Sequence, residues 1–279
     1  MLDALAALLK ALLYAGVLSC AGGVFAQATL RPPPDSEWVV SRLVRGGAVL
    51  TIFAALAHAA CLFLQLGAGF DTATLSAVFL SGVGAALCLR IAGSAMLLST
   101  EPIDESARAT QLSNAALVTA SFAFNGHAAA DGLASGLVAF LHVSFASWWF
   151  AGLWILRDAC ARMDFATVAA LVARFSPIAF RLVGGLVIAG LLLIGILVDF
   201  NNDPWLSSYG RLLALKVVLA GLALALASYN KIRLTARLMK GDASAVRSLR
   251  MTIGAELACI GAVLIATAIL TTYTSPHGQ

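Results

Sequence analysis

Residues 251–273 read Met-Thr-Ile-Gly-Ala-Glu-Leu-Ala-Cys-Ile-Gly-Ala-Val-Leu-Ile-Ala-Thr-Ala-Ile-Leu-Thr-Thr-Tyr, 23 positions with one charged side chain, Glu256. A helix needs about 20 mainly apolar residues to cross a hydrocarbon core of roughly 30 Å, so this stretch is long enough to span. Seven further runs of the same character stand at roughly 4–26, 43–66, 74–98, 108–125, 132–156, 177–198 and 209–229. All are rich in Ala, Leu and Gly and lack the alternation of a membrane strand, which excludes a β-barrel. The pattern predicts an all-α, polytopic membrane helix bundle of eight transmembrane helices, one integral membrane unit over residues 1–279.

Composition agrees. Of 279 residues, 61% are hydrophobic and 11% charged, whereas a soluble domain has about 45–50% and about 25%. Too few charges remain to cover a water-facing surface. A soluble enzyme, a disordered chain and a nucleic-acid binder are excluded. The net charge of +4 is small, and its distribution says more than its sum.

The first run resembles a secretory signal, with Ala26-Gln27-Ala28 as a cleavage-like triplet and Leu18-Ser19-Cys20 as a lipidation-like one. Its charge order is the reverse of a signal peptide's: Asp3 precedes the apolar run and the first later charge is Arg31. It reads as a retained span.

Lys and Arg concentrate on cytoplasmic connections. The odd-numbered connections hold Arg31, Arg42 and Arg45; Arg108; Arg157, Arg162 and Arg174; and then six basic residues between Lys231 and Arg250. Apart from Arg211, the even-numbered connections and both termini hold almost none. Both termini are therefore expected outside, which for a Gram-negative cell is the periplasm.

On that topology all four histidines fall in the outer half. His58 lies in the outer half of span 2, His127 in the outer loop after span 4, His142 near mid-membrane in span 5 and His277 in the C-terminal tail. Asp3, Asp71, Asp131, Asp199 and Asp203 also lie at or near the outer face. A borderline or soft cation arriving from outside would meet imidazoles and carboxylates there. His127 and His277 can equally be solvated loop residues. Ionisable groups inside spans are costly and usually mark a site or pathway, although a lone intramembrane histidine can also be a helix-packing hydrogen bond. Cys61 follows His58 by three residues, on the same helical face, and imidazole with thiolate suits copper. The other cysteines are scattered and give neither a disulfide framework nor a zinc pattern.

Lys10, Arg90, Lys216 and Glu256 lie within spans, and each needs a partner or a wet cavity. Counting about 1.5 Å per residue, Arg90 and Glu256 come out at similar depth in the inner half and are expected to pair or share a polar network. Lys10 and Lys216 come out near the outer face. They either snorkel outward or line an access cavity. Catalytic motifs are absent: no nucleophile elbow, HExxH or nucleotide loop occurs, so no enzyme is expected.

Several segments resemble the copper resistance protein D family (CopD). They are Tyr209-Gly210-Arg211 to Lys216 with Asn230-Lys231-Ile-Arg233-Leu; Leu249-Arg250 through Ala255-Glu256-Leu257 to Pro276-His277; Gly126-His127-Ala128; and His142 with Trp149, Gly152 and Arg174-Phe175-Ser176. The similarity is clearest from about residue 120 onward. It implies an eight-span inner-membrane protein with periplasmic termini that handles copper, usually by uptake in partnership with a small periplasmic carrier, CopC. It carries over His127 and His142 as copper-related histidines and Lys216 and Glu256 as intramembrane charges. His58, Cys61 and Asp131 come from the depth argument instead. No carrier-like domain lies within the 279 residues, so a carrier would be a separate protein.

The expected function is copper import or transfer towards the cytoplasm. Copper would be captured by His127 with Asp131, Asp199 and Asp203, then passed to His142, with His58 and Cys61 as further ligands. Two alternatives stay open: a haem held between His58 and His142, and a copper-binding assembly or sensor protein that moves nothing. Membrane lipid is the expected surrounding, and nucleic acid is not a partner.

Overall fold

The apolar runs become helices because a backbone in lipid must satisfy its own hydrogen bonds. The computed structural model describes residues 1–67, 72–100, 106–124, 132–198 and 207–273, and among these the regular structure is helical throughout. The order is α1 (Leu2–Leu30), a 3₁₀ turn (Pro34–Ser36), α2 (Glu37–Ser41), a π-turn (Arg42–Gly46), α3 (Gly47–Leu66), α4 (Thr72–Phe79), α5 (Gly82–Leu98), α6 (Arg108–Ala120), a 3₁₀ turn (Ser121–Ala123), α7 (Leu133–Arg162), α8 (Phe165–Leu197), α9 (Ser208–Tyr229), a π-turn (Asn230–Thr235), α10 (Ala236–Met239) and α11 (Ser244–Tyr273).

Six helical stretches are long and apolar enough to cross a membrane: Leu2–Leu30, Pro34–Gln65, Leu133–Arg162, Phe165–Leu197, Ser208–Met239 and Ser244–Tyr273. α5 is apolar but shorter. α6 has 13 residues and carries Gln111, Ser113, Asn114 and Thr119. The run expected as one span over 74–98 is broken: Ser81 caps a new helix, its Oγ accepting from the Gly84 N–H at 3.4 Å. The expected loop 157–176 is almost wholly helix, because α7 continues to Arg162 and α8 starts at Phe165. At 29 residues α1 is about 44 Å long, longer than a hydrocarbon core of roughly 30 Å is thick.

α1 is the central helix, packing on α3, α6, α7 and α11. Glycines permit the close approach that packing between membrane helices relies on. A Cβ on Gly16 would stand 2.8 Å from Thr51 N, and one on Gly47 would stand 2.6 Å from Cys20 N. α8 and α9 turn large apolar side chains outward, among them Phe180, Leu191, Leu192, Val218 and Leu222, the surface expected against lipid tails.

Polar contacts define the two ends. Gln65 donates to Asp3 (2.7 Å) and Lys10 to the Thr271 carbonyl (2.7 Å), which puts the start of α1, the end of α3 and the end of α11 together. At the opposite end Arg108 donates to the Ala28 carbonyl and Arg174 to that of Arg31 (3.3 Å), satisfying the last carbonyls of α1, while Arg162 lies over the Trp38 ring. The basic residues thus gather at the end away from the described chain ends.

Two carboxylates fasten turns at that basic end. Asp164 caps α8, accepting from the Thr167 N–H (3.0 Å) and hydroxyl (2.7 Å). Asp242 accepts from the Ser244 hydroxyl (2.6 Å) and from Arg237 (2.9 Å). The Thr167 N–H holds Asp164 below the usual carboxylate range, and the Ser244 hydroxyl, aided by Arg237, does so for Asp242. A carboxyl lowered on folding adds stability above its unfolded value and loses it as pH falls through the folded one. Both turns are therefore expected to exchange amide hydrogens faster, after correction for intrinsic rates, as pH drops below the ordinary carboxylate range. Asp242→Asn should remove that dependence at the 240–243 turn only. An unchanged profile in the variant would refute the assignment.

Candidate functional site

The intramembrane polar side chains fall into two groups in opposite halves of the bundle. The first lies toward the chain ends. Lys10 Nζ donates to Thr271, whose hydroxyl shares a 3.2 Å hydrogen bond with the Tyr14 hydroxyl. Lys10 therefore ties α1 to α11. Arg90, 6% exposed, donates from Nε to Ser121 Oγ (3.0 Å), and its guanidinium lies 5.1 Å above the Phe122 ring. His58 from α3 completes the group, close enough to Lys10 and Arg90 to interact electrostatically with both. The ring is 8% exposed and its Nε2 has no hydrogen-bond partner. Cys61 lies one turn on, its thiol donating to the Leu2 carbonyl at 3.5 Å. His58 and Cys61 thus both face α1, as their spacing implies.

This placement corrects the expected pairing of Arg90 with Glu256. Because α5 begins at Gly82, Arg90 lies two turns into its helix rather than four and meets the residues after α6 at the chain-end half. Glu256 lies in the other half.

His142 from α7 stands apart from His58. Its ring interacts with the Leu186 backbone on α8 and with Lys216 of α9. Its Nδ1 is buried with no hydrogen-bond partner. Gly190 makes room for the ring: a Cβ there would stand 3.3 Å from His142 Cε1. The surroundings of His58 and His142 have no residue in common, so nothing in the geometry favours a haem held between them.

The second group lies toward the basic end. Glu256 is 1% exposed and accepts from Asn230 Nδ2 at 2.7 Å. The Trp149 side chain lies close enough to interact with the same carboxyl. Sequence reasoning left both partners out. Asn230 falls in what reads as a basic loop, and Trp149 reads as helix packing.

Among the described residues, no three His, Cys, Asp or Glu side chains come together as a metal-binding group. His127, Asp131, Asp199, Asp203 and His277 lie outside the described residues. Of the expected ligands, the described ones are His58 and His142, each with an unpartnered imidazole nitrogen, and the Cys61 thiol.

Two family patterns match. Copper resistance protein D covers residues 169–270, and the copper resistance protein D-like N-terminal domain covers residues 1–137. The chain belongs to the copper resistance protein D family. The N-terminal match takes the family kinship over α1 to α6, where the quoted motifs carried it least. No curated protein and no solved structure matched at the threshold applied. Family membership and the six apolar helices make the chain a multi-pass membrane protein of copper handling.

Proposed function

We propose that this protein carries copper from the periplasm towards the cytoplasm across the bacterial inner membrane, as a binding and transfer protein rather than an enzyme. In this reading all eight apolar runs cross the bilayer, with α5 and α6 as the short crossings and both termini periplasmic. The gathering of Arg31, Arg108, Arg162 and Arg174 at the end opposite the chain ends supports it. A separate periplasmic carrier of the CopC kind delivers copper to the outer loops, where His127, Asp131, Asp199 and Asp203 receive it.

The observation that carries the proposal is His142. Its ring is oriented by Leu186, is given space by Gly190 and keeps a buried Nδ1 free. A buried imidazole nitrogen that no protein group occupies is available to a metal ion. His58 Nε2 and Cys61 serve as further ligands from α3. Lys216 opposes a bare cation and acts as a positioning residue, not a ligand.

The test is copper titration of purified protein with His142→Ala, His58→Ala and His127→Ala variants, paired with copper flux into vesicles. His142→Ala is expected to weaken binding by more than the roughly 10–100-fold that losing an outer-shell partner costs, and to stop flux. Unchanged affinity in all three variants would overturn the site. Normal binding without flux in the wild type would overturn transport. A Soret band in the purified protein would favour haem instead.

A further inference from the structure

Glu256 is the one acidic side chain among the described residues that is buried. The Asn230 amide that donates to it and the Trp149 indole that interacts with it are both neutral. Among the described residues, no cation of a neighbouring element is seen paired with Glu256. Lys10 and Tyr14 of α1 meet α11 at Thr271, 15 residues and about 22 Å further along the helix. Lys216 of α9 lies beside His142. In the π-turn, Lys231 has its ammonium over the Phe180 ring and Arg233 is exposed, as is Tyr229 just before it. Arg237 of α10 binds Asp242. From α7, Arg157 lies over Trp154, with its Nε buried without a hydrogen-bond partner and 3.5 Å from where a Cβ of Gly254 would stand, and Cys160 interacts with Arg250 of α11 itself. Arg247, the other cation of α11, stands nine residues before Glu256. No ion pair to Glu256 is present among the described residues. A buried carboxylate held only by neutral donors in a membrane bundle is costly as an anion.

Asn230 adds a second, independent observation. Its Nδ2 reaches Glu256, but its Oδ1 is buried with no partner. An unpaired buried acceptor is costly. Turning the amide over about the Cβ–Cγ bond would present that oxygen to the carboxyl. The side chain can thus donate to an ionised Glu256 or accept from a protonated one. Asn230 also opens the π-turn Asn230–Thr235 that interrupts the α9–α10 helix, and π-turns inside α-helices frequently mark functional sites.

We infer that Glu256, Asn230 and Trp149 form a proton-binding site in the half of the bundle away from the chain ends. The ligand is a single proton taken from water. It bonds to a Glu256 carboxylate oxygen, the site goes from −1 to neutral, and the new O–H donates to Asn230 Oδ1 after the amide turns. No other bond breaks. The inference does not depend on copper being the cargo.

The test is an infrared titration of the metal-free protein in nanodiscs, from acid to alkaline pH. The wild type is expected to show a protonated-carboxyl C=O band that disappears at alkaline pH and moves to lower frequency in D₂O. Glu256→Gln, which keeps an acceptor for Trp149 and a donor for Asn230 Oδ1, is expected to lose the band while staying folded. Asn230→Leu is expected to shift the band's frequency and its midpoint. Independently of any variant, wild-type tryptophan emission should follow the same titration through Trp149. A wild type with no such band, a band that persists unchanged across the pH range, or one that survives in Glu256→Gln would overturn the inference. An unmoved band in Asn230→Leu would overturn the role of the amide.

Discussion

Gly22→Leu is expected to yield no monodisperse folded protein, and Gly22→Ala to cost about 3 kcal/mol or more, the upper end of overpacking penalties. Gly22 is where α1 crosses α7. A Cβ there would collide with the Ser147 carbonyl oxygen and stand 2.6 Å from the Ser147 carbonyl carbon and 2.9 Å from the Ala151 Cβ. The obstruction is backbone, so no rotamer change relieves it. The helices must part, and α1 is clamped on its other side by the Gly16 and Gly47 contacts with α3. Overpacking of this kind does not depend on whether the exterior is water or lipid, because the clash exists only in the folded state. Gly221→Ala is the control: nothing lies within 4 Å of its Cβ position, and the better helix propensity of alanine should leave stability unchanged or raise it by up to about 1 kcal/mol. Thermal midpoints in detergent compare the two. A Gly22→Ala protein as stable as Gly221→Ala would show that the α1–α7 crossing can open freely.

The membrane character of the chain was legible because lipid imposes one demand on every residue of a span, and 23 positions from Met251 to Tyr273 meet it with a single exception. The details failed where that demand is silent. Hydropathy ran unbroken through residues 74–98, so the cap at Ser81 was invisible to it, although Ser is a preferred N-cap residue. Missing that restart displaced Arg90 by two turns and paired it with the wrong partner. The same blindness hid Asn230. Six basic residues between Lys231 and Arg250 read as a solvated connection, yet the helix continues from Tyr229 through a π-turn and brings the amide onto Glu256. No periodicity announces a π-turn. His142 was found because an imidazole inside a span is expensive wherever it occurs. What orients it, Leu186 and Gly190, lies more than 40 residues away on α8 and leaves no local trace.

Trp148→Ala is expected to destabilise the protein by about 4 kcal/mol and to loosen α8 before any other helix. The indole is 2% exposed and joins three elements. From α7, its Nε1 donates to Thr29 Oγ1 of α1 at 2.7 Å, and its ring stacks on Phe175 of α8 with centroids 5.3 Å apart and planes 11° from parallel. Phe175 is in turn held by Gly152, where a Cβ would stand 2.8 Å from its ring. In water, losing such a side chain costs about 3–5 kcal/mol, of which part is transfer from solvent. In lipid the alternative surroundings are already apolar, so the transfer part shrinks and the lost packing remains, about 2–3 kcal/mol. The stack adds about 1 kcal/mol, and the hydrogen bond about 0.6 kcal/mol, the average for pairs inside membranes. Trp148→Phe keeps most of the volume and should lose only about 1 kcal/mol, as should Thr29→Val. The Trp148→Phe and Thr29→Val pair shares the hydrogen bond and should be less costly than the sum of its parts. Amide exchange separates this joint from the chain-end half. α8 around Phe175 should open first, while the Lys10–Thr271 tie between α1 and α11 keeps its protection. Uniform loosening of the whole bundle, or a Trp148→Ala protein within 1 kcal/mol of the wild type, would show that Phe175 and Thr29 are held by something other than this indole.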